Sequence, residues 1–206
     1  MKSMKHYTLL ALVSTTLSVA SMCGMAQEAA WKYSYQLEAA GKYPEAIAAI
    51  EQVTSSSFDA ELKLLRRGWL YYLLASYDES IREYRLAVER NKYSVDARLG
   101  VTLPLLALKR WREAEQNARA ALTISPNSFT ALLRLTLALE GQHEWKEMEK
   151  TAGIMAAVYP SDVSSFVYLA RAYAWLNKKN EAVAAYTAVL SRYPGHLEAK
   201  AYLDKK

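Results

Sequence analysis

Few residues in this chain have the types and spacing that chemistry needs. Beyond the N-terminal segment there are two histidines, His143 and His196. His143 and Glu147 are four apart, so one helix face could carry both, but two ligands make a poor metal site. The stretch "QHEW" also lacks the second histidine of H-E-x-x-H. Glu113 and Glu115 are close in sequence but have arginines nearby, which reads as a solvated, ion-paired face rather than an acid–base pair. There is no G-x-S-x-G and no phosphate-cradling glycine loop among the 7 scattered glycines. These patterns predict no catalytic residue, no metal ligand and no cofactor, and the chain reads as non-enzymatic.

The single cysteine, Cys23, lies within residues 1–26, which have the layout of a secretory leader. "MKSMKHY" is a positive start, "TLLALVSTTLSVA" is an apolar run too short to span a bilayer, and Gly24 and Ala26 are small. Cleavage is expected after Ala26. An acylated Cys23 is the weaker reading, because Met22 stands where a lipoprotein signal has a small residue. Cleavage at Ala26 leaves no cysteine, which excludes disulfides and thiolate chemistry. No later segment is long and apolar enough to cross a membrane. The sequence thus predicts an exported protein, periplasmic or secreted. The formal charge is +5, and without Lys2 and Lys5 there are 24 basic against 21 acidic residues. That mild balance argues against a nucleic-acid partner.

Whatever these residues do, helices must position them, and the helices repeat. Blocks beginning at Gln27, Glu61, Val95, Phe129 and Val163 are spaced 34 residues apart without insertions. Each reads as two helices joined by a short turn. The seventeenth place holds Tyr43, Tyr77, Trp111, Trp145 and Lys179. The twentieth holds Ala46, Ser80, Ala114, Met148 and Ala182, and the twenty-fourth Ile50, Tyr84, Ala118, Ala152 and Tyr186. Near the block's end come Phe58, Lys92, Pro126, Pro160 and Pro194, and proline there stops the second helix. Antiparallel helices come close only where side chains are small, which accounts for Ala114 and Ala182 opposite Thr102 and Ala170. In block four Met148 and Ala152 exchange large and small, roughly conserving volume. Ser76, three residues before Glu79, predicts a capping box, and Pro44 suits a first helical position.

This pattern resembles the tetratricopeptide repeat (TPR) family, W-x2-L-G-x2-Y, then A-x3-F, then P. Block five fits best by type, with Phe166, Leu169, Ala170, Tyr173, Ala182, Tyr186 and Pro194. The resemblance covers 27–196. It implies an all-α solenoid of five helix-turn-helix repeats over 27–206, with a partial capping helix from Leu197. Leu197 and Leu203 are expected to cover block five, with Glu198 facing water.

Each first helix then has two stripes. The fourth, eighth and eleventh places face the hairpin partner; the second, fifth, ninth and twelfth form another stripe. In TPR arrays the second stripe lines a concave groove. Here it carries Trp31, Tyr35, Leu65, Trp69, Tyr72, Leu99, Leu103, Leu106, Leu133 and Leu137. Two readings stand: packing between adjacent first helices, or an aromatic surface for a partner. Lys32, Arg66 and Arg134 at the sixth place, with Arg171 at the ninth, are expected to add a basic edge that favours acidic segments. The asparagines of TPRs that clamp peptide C-termini are absent from these places. Together these features imply an adaptor that binds an apolar or acidic segment of another cell-envelope protein. The alternative is a structural protein that assembles with copies of itself.

Overall fold

Apolar residues recurring at 34-residue intervals resolve into stacked helix pairs. A computed structural model describes residues 25–53 and 59–205. The assigned leader, apart from its last two residues, and Phe58 lie outside the described residues. The first helix, α1, runs through 25–39. It is followed by α2 (Tyr43–Glu51), α3 (Asp59–Leu73), α4 (Tyr77–Arg90), α5 (Val95–Ala107) and α6 (Trp111–Ile124). Then come α7 (Phe129–Gly141), α8 (Trp145–Val158), α9 (Val163–Trp175), α10 (Lys179–Arg192) and α11 (Leu197–Leu203). Every second helix opens at the seventeenth place of its block. Consecutive helices pack together from α2 to α11, and α3 also touches α5, and α5 touches α7. First helices therefore line one inner wall, with second helices behind them. The architecture is an α-solenoid of five helical hairpins and a capping helix.

Small residues set the hairpin spacing. Ser34, Thr102, Thr136 and Ala170 on first helices, and Ala46, Ser80, Ala114, Met148 and Ala182 on second helices, are all fully buried. Ser34 Oγ donates to the Ala46 carbonyl at 2.9 Å, and Ser80 Oγ to the Gly68 carbonyl at 2.7 Å. These bonds cross the hairpin between backbones that a larger residue would hold apart. Ala114, Ala118 and Ala121 line the buried face of α6. In the fourth hairpin Met148 and Ala152 are both fully buried, so the exchange of large and small is accommodated.

The turn inside each hairpin repeats with the same period. Gly41, Ala75, Lys109, His143 and Asn177 all have positive φ, between 57° and 72°. In each, the next residue's N–H reaches back across the turn, as in Lys42 to the Leu37 carbonyl at 2.8 Å and Arg110 to the Leu105 carbonyl at 2.8 Å. This is the Schellman closure, which satisfies carbonyls left open at a helix end. His143 is thus a turn residue. The capping box expected at Ser76 does not form, because its side chain makes no cap bond. Ser76 adopts φ −81°, ψ 71°, outside the extended region an N-cap needs, as do Lys42, Arg110, Glu144 and Lys178 at the same turn place. Side-chain caps occur instead where a hairpin follows another. Ser94, Ser128, Asp162 and the His196 Nδ1 accept from backbone N–H groups of α5, α7, α9 and α11.

At the C-terminal end the expected cover is rearranged. Leu197 is 81% exposed. Ala199, Tyr202 and Leu203 pack on α10 instead, with the Tyr202 ring 4.5 Å from that of Tyr186. Leu197 is the first residue of α11, and the face of α11 that meets α10 carries Ala199, Tyr202 and Leu203 instead. The left-handed turns yield a test. L-residues resist positive φ by about 1–2 kcal/mol, and glycine relieves this at some cost in unfolded-chain entropy. Ala75→Gly should gain roughly 0.5–1 kcal/mol and raise the thermal midpoint, while Ala75→Val should lower it. A lower midpoint for the glycine variant would contradict the strain.

Candidate functional site

The inner wall begins with an open pocket of about 810 Å³ between α1 and α3. Trp31, Tyr35, Leu62, Leu65 and Trp69 supply its apolar lining, and Glu28, Glu38, Asp59 and Arg66 its charged groups. Helical spacing produces this set. Trp31 and Tyr35 are four apart on α1, as are Leu65 and Trp69 on α3, so two pairs of side chains face each other across the gap. Tyr35 is 56% exposed and Leu62 is 48% exposed. Leu65 and Trp69 have one side against the core formed by Ile81, Tyr84, Val101 and Leu105. Further along, Tyr72, Leu99, Leu103, Leu106, Leu133 and Leu137 are all half-buried. The stripe therefore packs between first helices and also presents a surface.

Trp69 is held by a bond the sequence reading did not anticipate. Its Nε1 donates to Glu38 Oε1 at 2.7 Å. Its ring centroid lies 5.7 Å from that of Tyr72, which lies 5.9 Å from that of Tyr77. The second oxygen of Glu38 pairs with Arg66. Arg66 is itself buried, donates to Ser34 Oγ at 3.2 and 3.3 Å, and lies 3.9 Å over the Tyr35 ring. Its charge is consumed inside the wall, holding α3 to α1.

Arg171 is also internally engaged. It donates to both oxygens of Glu198 at 2.7 and 2.9 Å, and to Glu140 at 3.1 Å. Glu198, expected to face water, closes this network and accepts from the Tyr186 hydroxyl at 2.8 Å. The bond from Arg171 holds the Glu198 carboxyl below its ordinary range, and the same bond pushes the guanidinium up. Burial first, and then the Glu198 bond, raise the Tyr186 phenol.

That leaves Lys32, which is exposed, and Arg134. Arg134 is half-buried on α7, and its Nε is buried without a hydrogen-bond partner. Burial lowers its pKa, and the titratable side chains acting on it are the phenols of Tyr72 and Tyr84 rather than a carboxylate. Tyr84 belongs to a second helix. Its ring lies where a Cβ at Gly68 or Gly100 would sit, so two glycines clear its route toward the inner wall. The four cations therefore form no continuous basic edge. Two are neutralised, one is in solvent and one is unpaired. A signal for the neutralised pair was present: Glu38 and Arg66 are 28 residues apart, the twelfth place of one block and the sixth of the next. Away from this wall, Trp145 and Trp175 stack at 4.9 Å and 4°, with Trp175 exposed. Among the described residues no helix is long and apolar enough to cross a membrane.

Comparison with known proteins bears on the fold. Residues 164–196 match the tetratricopeptide repeat family. In sequence, no curated protein matches the chain. Among solved structures the fold is similar to MamA, residues 41 to the end, from Desulfovibrio magneticus RS-1. That match has TM-score 0.74 and 14% identity, over 84% of this chain and 97% of that one. It is also similar to YrrB, described as a TPR protein with an unusual peptide-binding site, at TM-score 0.71 and 15% identity, over 86% of this chain and 91% of that one. A third, TTC0263, a thermophilic TPR protein in Thermus thermophilus, gives TM-score 0.62 and 17% identity over 86% and 97%. The described chain folds as an α-solenoid of helical hairpins similar to those of these TPR proteins, and its last hairpin matches the family in sequence.

The Arg171 network predicts a pH response. The lowered Glu198 carboxyl contributes stability above about pH 4.3, the unfolded glutamate value, and loses it as pH falls through the folded value. Hydrogen exchange in α11, corrected for intrinsic rate, should accelerate below about pH 4. Arg171→Met should weaken that dependence, leaving the smaller part set by the Tyr186 bond. An α11 equally protected at pH 3 and pH 6 would refute the coupling.

Proposed function

We propose that this chain is an exported, non-enzymatic interaction scaffold whose inner wall binds a segment of another cell-envelope protein. The observation that carries this reading is the open aromatic pocket between α1 and α3. Trp69 is fixed from behind by Glu38 and by the core, Arg66 lies over the Tyr35 ring, and Tyr35 and Leu62 remain exposed. Aromatic side chains that are pre-positioned and partly wet make effective anchors, because they lose little freedom on binding. The pocket suits one large apolar side chain of an extended or helical segment, a common way for grooves to recognise peptides. The similarity to YrrB, whose description names a peptide-binding site, supports a peptide ligand. The leader-like residues 1–26 support the location, periplasmic or secreted.

A photo-crosslinking residue placed at Leu62 should capture a partner in the native envelope. The same residue at Leu86, exposed on the second helix α4, should not. Adding Trp31→Ala and Tyr35→Ala should reduce the Leu62 adduct by about tenfold, with an unchanged circular-dichroism melt. Equal capture at both positions, or capture that survives the pocket variants, would remove the groove reading. An adduct of twice the chain's own mass, with light scattering that shows oligomers, would favour self-assembly instead.

A further inference from the structure

The unpaired guanidinium of Arg134 lies on the same wall as the pocket, two first helices further along. Its isolation has a cause that the repeat makes visible. Arg66 occupies the sixth place of its block and is neutralised by Glu38, at the twelfth place of the block before. Arg134 occupies the sixth place of block four, and the twelfth place of block three is Leu106. The position that supplies a carboxylate in one repeat supplies a methyl group in the other. Arg67, the other arginine whose Nε is buried and unbonded, has its charge met by Glu83 at 3.2 Å. Arg134 is acted on by the phenols of Tyr72 and Tyr84, and no described carboxylate lies within ion-pair distance of it. A half-buried cation left this way loses hydration without a compensating partner, so an incoming anion gains more there than at an exposed lysine.

We infer that Arg134 is the seat for a side-chain carboxylate of the bound segment, a role built by the absence of an acid at Leu106. This rests on the groove reading and adds a pattern to it. First helices are spaced about 8–10 Å apart, so the seat lies roughly 20 Å from the α1/α3 pocket. An extended segment advances about 3.3 Å per residue. Its acidic residue therefore follows or precedes its large apolar anchor by about six positions. The seat is mid-wall, with α9 and α11 beyond it, so a side chain within a continuing segment reaches it without a chain end. Charge also orients the segment. The pocket carries Glu28, Glu38 and Asp59 against Arg66 and disfavours acids beside the anchor, whereas the seat favours one.

The test uses twelve-residue peptides, acetylated and amidated to remove terminal charges, each with one tryptophan and one glutamate walked away from it. Each is paired with a glutamine version, and affinities are read by fluorescence anisotropy against the purified protein. Wild type should prefer glutamate about tenfold at one spacing near six, the scale of a charge-assisted hydrogen bond. Arg134→Gln should bring that preference close to one. Leu106→Glu should do the same by supplying the missing carboxylate from within, a result that merely disturbed packing would not give. A peptide with a free C-terminus in place of the glutamate distinguishes a chain end from a side chain, and stronger preference for that form overturns the assignment. Peptides that need Trp31 but show no glutamate preference at any spacing overturn this inference and leave the groove reading standing. If no peptide binds, both fall. Because the wild-type walk is decisive alone, an unfolded variant does not rescue the idea.

Discussion

The structure depends on how closely two antiparallel helices can approach. In four of the five hairpins, small side chains meet at the eighth and twentieth places, and in two of them a serine hydroxyl bonds across to the partner backbone. The exception is Met148, fully buried opposite Thr136, where Ala152 one turn later returns the volume. The hairpin turn reinforces the constraint by placing one residue in the left-handed region every 34 positions. With spacing and turn fixed, every first helix presents the same places to the inner wall. Chemistry on that wall is therefore periodic by construction, and the informative residues are those that break the period.

Much of the fold was legible because it rests on local and repeated signals. Helix starts at the seventeenth place, the buried alanines of α6 and the prolines after second helices all follow from spacing and side-chain volume. The capping box at Ser76 was not legible. Its letters are right, but the turn's backbone is set by the Schellman closure before it, which overrides the side chain's local preference. The cover at the C-terminal end was half legible. Hydrophobicity correctly placed Leu203 in the interface but misplaced Leu197, because the first residue of a short helix can point either way.

The wall was legible as a stripe and less so as a set of charges. Trp31, Tyr35, Leu65 and Trp69 do come together, since four-residue spacing on two neighbouring helices requires it. Counting cations along the sixth place, however, treated arginines as independent when their partners lie 28 residues away on the preceding helix. Glu38 drew no reading and Glu198 was expected to face water, yet the first holds Arg66 and Trp69, and the second ties α11 to α9 and α10 through Arg171 and Tyr186. A scan for acids at the twelfth place would have separated Arg66 from Arg134 in advance. The reach of Tyr84 is harder to foresee, because it requires two glycines on different helices to coincide with one ring.

That ring has a steric consequence. Tyr84 is rooted in the outer layer, crosses the inner layer between Gly68 and Gly100, and ends close enough to act on Arg134. A side chain at either glycine would collide with this ring, so neither position accepts even an alanine unless Tyr84 moves. The packing of the second and third hairpins is thus tied to the absence of side chains at two places on their first helices.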